Sequence, residues 1–300
     1  MQEAVEKVGC CIAAQNDAIA PADGLLYAIR DVTNTVDSIP LITASIISRK
    51  AAEGLNALVL DVKCGRAAFM KTEQDALALA ESMVSAAKGL GINTVAQITD
   101  MNEPIGTHIG NALEVLGSVH VLQGKGSADT RNLVALQGGQ LLALTGISPS
   151  LEQGIQMILE VLDNGEALRF FVEMCVQQGT ERKMAELLVN EPEHVLPKSK
   201  HVTSVVAAES GYVQSIDAMA LAEVARELGA GRFSMEDSIN HGVGYVIEAT
   251  RNMTLSKNQP WISIHHDHPL SSQHLTQIGD ALQIGNVPTA EFQRLIRIIH

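Results

Sequence analysis

The sequence predicts an α/β fold built on a parallel sheet, and three local features carry that expectation. Two short β-rich runs, Ala57 to Lys63 and Thr94 to Thr99, are separated by one long helical pattern from Thr72 to Gly91. Within that pattern Ala76, Leu77, Leu79, Ala80, Met83, Val84 and Ala87 recur at helical spacing, Thr72 or Gln74 opens it and Gly89 to Gly91 ends it. A strand, a helix and a strand in that order form a βαβ unit, whose strands run parallel because only a long crossover can join parallel neighbours.

The remaining elements follow in chain order. Val8 to Ala14 reads as a first strand. A helix starts near residue 38, where Asp37 or Ser38 can cap and Pro40 can enter the first turn, since an early helical proline lacks only an N–H that would be unpaired anyway. Leu41, Ile42, Ala44, Ile46, Ile47 and Ala51 then occupy several of its faces, as in a helix buried within a larger assembly. Helical patterns dominate from about Gly106 to Val189, and Gly138-Gly139 marks a kink or a close helix contact. Asn190 to Lys200, with two prolines and several charges, reads as a linker. Beyond it, His201 to Ala208 and Gly211 to Ser215 read as a hairpin, Ala218 to Leu228 as a helix and Trp261 to His265 as a strand. No internal repeat or low-complexity tract interrupts the pattern.

Composition narrows the function classes. A length of 300 residues suffices for one large core or two lobes, and a formal charge of −13, from 34 acidic and 21 basic side chains, disfavours nucleic acid or an anionic membrane as partner. Cys10, Cys11, Cys64 and Cys175 have neither CxxC spacing nor the density of a disulfide framework, so free thiols in a reducing, cytoplasmic compartment are expected. The start, MQEAVEKVGCCIAAQ, has no export signal pattern, and no apolar run approaches the length of a membrane span.

The candidate binding residues lie around the helix at 38 to 52. Ser45 and Arg49 are one turn apart on one face, and Arg30 lies upstream in a segment marked by Pro21, Asp23 and Gly24. Two guanidinium groups and a hydroxyl can converge on one small, polar, planar ligand. The competing reading is a buried helix whose serine bonds to its own carbonyls and whose arginine caps the C-terminal end. Lys63, after Asp61 at a strand end, faces either a ligand cleft or solvent. His265-His266-Asp267-His268 precedes Pro269 at a strand end and reads as exposed histidines rather than a zinc site. His108 and His120 lie on helical patterns in structural roles, and no metal is assigned. Ser45 has no nucleophile elbow around it. No Gly-rich strand-to-helix turn followed by Lys and Ser/Thr occurs, and Gly229-Ala230-Gly231-Arg232, which follows a helix, reads as its C-terminal cap.

The segment YAIRDVTNTVDSIPLITASIISRK closely resembles the corresponding stretch of the thymidine phosphorylase and pyrimidine nucleoside phosphorylase family. The similarity continues through Ala57 to Gly65, Thr99-Asp100-Met101-Asn102, Gly110 to Val115, Asp163-Asn164-Gly165 and Gly229 to Arg232. The resemblance implies an α/β domain at 1–22 and 53–197, part of a helical lobe at 23–52 that carries the base-binding residues, and a C-terminal α+β subdomain at 198–300. It implies a pentosyltransferase that converts thymidine and phosphate to thymine and 2-deoxyribose 1-phosphate, without a cofactor, as a homodimer. By the same resemblance Arg30, Ser45 and Arg49 hold the pyrimidine. In the family a lysine stands at the position of Arg49, and the longer, planar guanidinium must reach its acceptors differently. The family's Lys-His-Ser-Thr-Gly-Gly-type phosphate loop and its Ser-Gly-Arg-Gly…Thr-Gly-Gly-Thr signature occur nowhere in these 300 residues. The chain resembles the C-terminal two-thirds of family members, so by itself it is expected to be inactive. The alternative is a non-catalytic pyrimidine-binding or subunit-modulating member. A monovalent cation site, built in bacterial members from carbonyls near Ile105 and His108 and a glutamate, is not expected, because the glutamate position holds Gly117.

Overall fold

The computed structural model describes residues 2–12, 22, 26, 29–30, 33, 35, 37–234 and 236–300. It is a mixed α/β fold that divides into two compact units. One comprises Met1–Asp100, Asn132–Glu160 and Arg294–His300, and the other Met101–Arg131 and Val161–Gln293.

In the first unit, α1 (Gln2–Val8) is followed by α2 (Ile39–Ala52), β1 (Ala57–Cys64), α3 (Glu73–Gly89) and β2 (Asn93–Asp100). β1 and β2 pair in parallel from Ala57↔Asn93 to Cys64↔Asp100, as the βαβ pattern requires. Thr72 takes the N-cap of α3 and accepts the Asp75 N–H, while Gly91 leaves the helix in a left-handed conformation at φ 80°. The buried face of α3, Ala76, Leu79, Ala80, Met83, Val84 and Ala87, packs with Leu58, Leu60, Val62, Ala96 and Ile98 of the strands. Ile47 of α2 joins this core, and Thr43 on α2 meets Ser82 on α3 at 2.9 Å between hydroxyls. A third strand, β10 (Leu295–Ile299), adds antiparallel to β2 and is tied by Arg294, whose guanidinium donates to the Asp100 carbonyl at 2.8 Å.

α5 (Ala128–Leu144) and α6 (Leu151–Asp163) supply residues 132–160 of this unit. Gly138-Gly139 marks a close helix contact: a Cβ on Gly139 would lie 2.5 Å from the Ile155 nitrogen, and one on Gly154 would lie 2.5 Å from the Gly139 oxygen. Only hydrogen side chains permit this approach.

The second unit holds β3 (His108–Gly110), α4 (Asn111–Leu122), α7 (Glu166–Gln177), α8 (Arg182–Asn190), α9 (Pro192–Val195), β4 (His201–Val206), β5 (Gly211–Ile216), α10 (Ala218–Glu227), β6 (Gly244–Ile247), β7 (Thr254–Leu255), β8 (Pro260–His266), α11 (Ser272–Ala281) and β9 (Leu282–Gly285). Its strands form two antiparallel sheets, ordered β3-β6-β8-β4 and β7-β5-β9. Trp261, Tyr245, Leu221, Ile262, Ile264 and Ile278 fill its core. α10 ends in a Schellman arrangement, with Gly229 at φ 104°, its N–H on Arg226 and the Ala230 N–H on Ala225. Gly229-Ala230-Gly231-Arg232 is therefore a helix cap.

Three sequence expectations are corrected. Val8 to Ala14 is no strand where it is described: Val8 ends α1, whose Lys7–Glu3 pair at 2.6 Å spans one turn, and Gly9 to Ile12 follow without regular structure. Ala13 and Ala14 lie outside the described residues. β4 and β5 are both strands but not a hairpin, because β4 pairs with β8 while β5 pairs with β7 and β9. Between them Ala207 bonds to Gln259 and Asn258, which carries the chain from one sheet to the other. His108 lies in β3 rather than in a helix, paired opposite Val246, and its ring meets that of His120 edge-on at 5.6 Å between centroids.

Burial, then His120 and His265, hold the His108 imidazole below its ordinary value. Protons then bind the unfolded chain more tightly than the folded one. The stability from neutral His108 is complete above about pH 6.5 and falls as pH drops below it. Trp261, the single tryptophan and fully buried, reports on this unit. Its urea midpoint should decline between about pH 7 and pH 5, and His108→Gln should flatten that decline. In the first unit, Gly139→Ala should cost about 1–3 kcal/mol in urea unfolding, because the contacting atoms are backbone and cannot rotate away.

Candidate functional site

A cavity of about 280 Å³ lies in the first unit, lined by the C-terminal end of β1, the connection that follows it, α2 and α3. Strand ends of this kind are where open α/β sheets bind ligands, because the loops diverge there and leave a crevice. The lining includes Arg30, Ser45 and Arg49, together with Ile42, Ile46, Val62, Met70, Leu79 and Met83 as apolar walls. Apolar walls with a few converging polar groups are the usual composition of a small-molecule pocket.

α2 positions two of the three predicted residues. Pro40 lies in its first turn and Ser38 at its N-cap, although the Ser38 side chain makes no capping bond. One turn separates Ser45 from Arg49. The Arg49 guanidinium donates from Nε to the Ser45 carbonyl at 3.1 Å and from Nη2 to Ser45 Oγ at 3.2 Å. The arginine thus bonds to a carbonyl one turn back in its own helix while it lines the cavity. The bond to Oγ uses a lone pair and leaves the Ser45 hydroxyl proton as a donor. Arg30 reaches the same cavity and is 6% exposed. Its Nε donates to the Thr35 carbonyl at 3.5 Å and its Nη1 to the Leu41 carbonyl at 3.4 Å, which ties the upstream segment to α2. Much of that segment, including Tyr27, Ala28, Asp31 and Val32, lies outside the described residues.

Sequence reasoning missed part of the lining. Phe69 and Met70, in the connection from β1 to α3, border the cavity, as does Asp61 in β1, beside the Lys63 for which a ligand cleft is one of two readings. The signal that could have found them is their place just after a parallel strand. Asp61 accepts from Lys63 Nζ at 2.5 Å, from Gln137 Nε2 at 2.6 Å and from the Thr99 hydroxyl, and Lys63 also donates to Thr99 Oγ1 at 3.0 Å. Of the two readings for Lys63, the cavity wall is the one realised.

The other candidate residues serve the fold. Contrary to the exposed histidines expected at this strand end, His266 is buried, and both its ring nitrogens are engaged, Nε2 with Thr203 Oγ1 at 2.9 Å and Nδ1 with the His268 carbonyl at 2.8 Å. Asp267 accepts from the Lys200 N–H and Asn240 Nδ2, which hold its carboxyl below the usual range. At Gly117 a Cβ would lie 3.1 Å from that of His108, so the imidazole fills the space a longer side chain would need. The carboxylate Glu114 on the same helix accepts the Gly110 N–H, and burial raises its pKa. These residues do not fit a monovalent cation site.

Comparison with known proteins follows the same lines. The family model described as "Glycosyl transferase family, a/b domain" matches residues 1–168, and the "Pyrimidine nucleoside phosphorylase C-terminal domain" matches residues 212–285. Thymidine phosphorylase of Rattus norvegicus is 40% identical over 291 residues, covering 95% of this chain and 61% of its own length. That of Homo sapiens is 39% identical over 291 residues, with 95% and 60% covered. Pyrimidine-nucleoside phosphorylase of Bacillus subtilis (strain 168) is 38% identical over 273 residues, with 91% and 62% covered. The chain thus spans about three fifths of the length of these curated relatives. With more than half of its residues matched by the first model and a C-terminal stretch matched by the second, the chain belongs to the glycosyl transferase family that includes the thymidine and pyrimidine-nucleoside phosphorylases.

Proposed function

We propose that this chain carries the base-binding side of a pyrimidine nucleoside phosphorylase, a pentosyltransferase that reversibly converts thymidine and phosphate to thymine and 2-deoxyribose 1-phosphate. The observation that carries this reading is the convergence of Arg30, Ser45 and Arg49 on one cavity at the C-terminal end of β1. Its relatives' names, thymidine phosphorylase and pyrimidine-nucleoside phosphorylase, point to the same substrate class.

In this reaction a phosphate oxygen forms a bond to the anomeric carbon as the bond from that carbon to the ring nitrogen breaks. The bonding pair leaves with the pyrimidine, so negative charge grows on the ring and its carbonyl oxygens. Fixed cationic donors at that ring stabilise the transition state more than the neutral nucleoside, which is the condition for catalysis. Arg49, held by its bonds to Ser45, and Arg30, held by the Thr35 and Leu41 carbonyls, are such donors. The Ser45 hydroxyl adds a third.

In this reading phosphate is a co-substrate, no cofactor is needed, and the enzyme is a cytoplasmic homodimer without nucleic-acid or membrane partners. Among the described residues no helix is long and apolar enough to cross a membrane. As family modules, 1–22 and 53–197 form the α/β domain, 23–52 belong to a helical lobe and 198–300 form the C-terminal subdomain. These 300 residues contain no Lys-His-Ser-Thr-Gly-Gly-type loop, so phosphate must be positioned by residues outside them.

Two outcomes are expected. Phosphate-dependent release of thymine from thymidine should be absent for the 300-residue chain and present when an upstream segment carrying such a loop is joined to it; turnover by the short chain would show that the loop is dispensable. Thymine binding, measured by calorimetry on the 300-residue chain, should weaken roughly tenfold or more on Arg49→Met, the scale of one lost hydrogen bond to a charged group. An unchanged affinity would remove Arg49 from the base site.

A further inference from the structure

Lys63 has a place in the cavity that the reading above does not use. Asp61 and Lys63 are two residues apart on β1 and share one face of the strand, while Thr99 on β2 lies directly opposite Lys63 in register. Gln137 reaches Asp61 from α5. The Asp61 carboxylate is occupied by three donors, from Lys63, Gln137 and Thr99. The Lys63 ammonium carries three N–H groups, and Asp61 and Thr99 take two of them. The third has no partner among the described residues, and the residue lines the cavity together with Arg30, Ser45 and Arg49. The lining thus holds three cations and a single carboxylate whose acceptors are already in use.

We propose that Lys63 is a ligand-contacting residue, held in place by Asp61 and Thr99, whose free N–H makes the cavity select a pyrimidine in its anionic form over the neutral ring. The proposal rests on the base-binding reading above and extends it with a residue from the sheet rather than from α2. A cation bonded to two fixed groups on adjacent strands loses little freedom when it meets a ligand, unlike a lysine on a solvated surface. Its Coulomb attraction acts on a ring that has lost a proton and only weakly on the neutral one. The effect is therefore on the ratio of the two affinities.

The test is calorimetric binding of two free bases to the 300-residue chain at neutral pH: thymine, which is neutral there, and 5-nitrouracil, whose ring N–H is acidic enough to be lost. The wild type should prefer 5-nitrouracil. Lys63→Gln, which can still donate to Asp61 and so keep the network folded, should reduce that preference roughly tenfold while changing thymine affinity little, as expected when one charge-assisted bond is lost. Lys63→Arg should retain most of the preference, and thermal melts of all three proteins should coincide. A preference undiminished in Lys63→Gln would overturn the assignment of Lys63 and leave the base site standing. Failure of the wild type to bind either base would overturn both.

Discussion

Eight residues of β1 lie beside eight of β2 in unbroken parallel register, and everything at the cavity is placed relative to that ladder. Parallel strands need a long crossover, here α3, whose apolar face covers one side of the sheet and whose outer side meets α2. Both strands end at the same edge. Asp61, Lys63 and Thr99 reach that edge together because in-register parallel neighbours point the same way. A shift of one residue would turn all of them to the opposite face. The cavity is therefore a consequence of strand register before it is a property of any one side chain.

Charge is handled economically around this edge. Each cationic group is fixed by oxygen atoms of the protein: Arg49 by Ser45, Arg30 by the Thr35 and Leu41 carbonyls, and Lys63 by Asp61 and Thr99. Donors fixed before the ligand arrives need no reorganisation when charge develops on it, which is the electrostatic contribution that fixed dipoles and ions make to catalysis. The single carboxylate accepts from three protein donors, one of them Lys63, which it holds in place. In the second unit the pairing of His108 with His120 beside Gly117 gives that part of the fold a packing role where a charged group would otherwise need a partner.

Much of this was legible from the sequence. The βαβ unit followed from two β-rich runs around one helical period, and the start of α2 from Pro40 after Ser38. The Ser45–Arg49 contact followed from their spacing, because residues four apart on a helix are neighbours whatever surrounds them. The Gly138-Gly139 pair announced a close helix contact, and the glycine at 229 a helix cap. What failed did so where apolar pattern alone was read without knowing the partner. Val8 to Ala14 has a strand-like composition, but its first residue belongs to a helix that carries the Lys7–Glu3 ion pair upstream. β4 and β5 look like hairpin arms because they are adjacent, yet strand composition carries no information on which edge each will pair with.

The sequence by itself therefore determined most of the elements, the family and the contact of Ser45 with Arg49 within one helix turn, since periodicity, caps and i,i+4 spacing are local and act within one segment. Only the tertiary structure decided that Arg30 joins them, that Lys63 stands in the cavity with Asp61, Thr99 and Gln137 around it, and that β10 closes the edge of β2 from the far end of the chain. Those outcomes depend on which apolar faces are buried against each other, and that choice is made by packing over the whole core rather than by any neighbour in sequence.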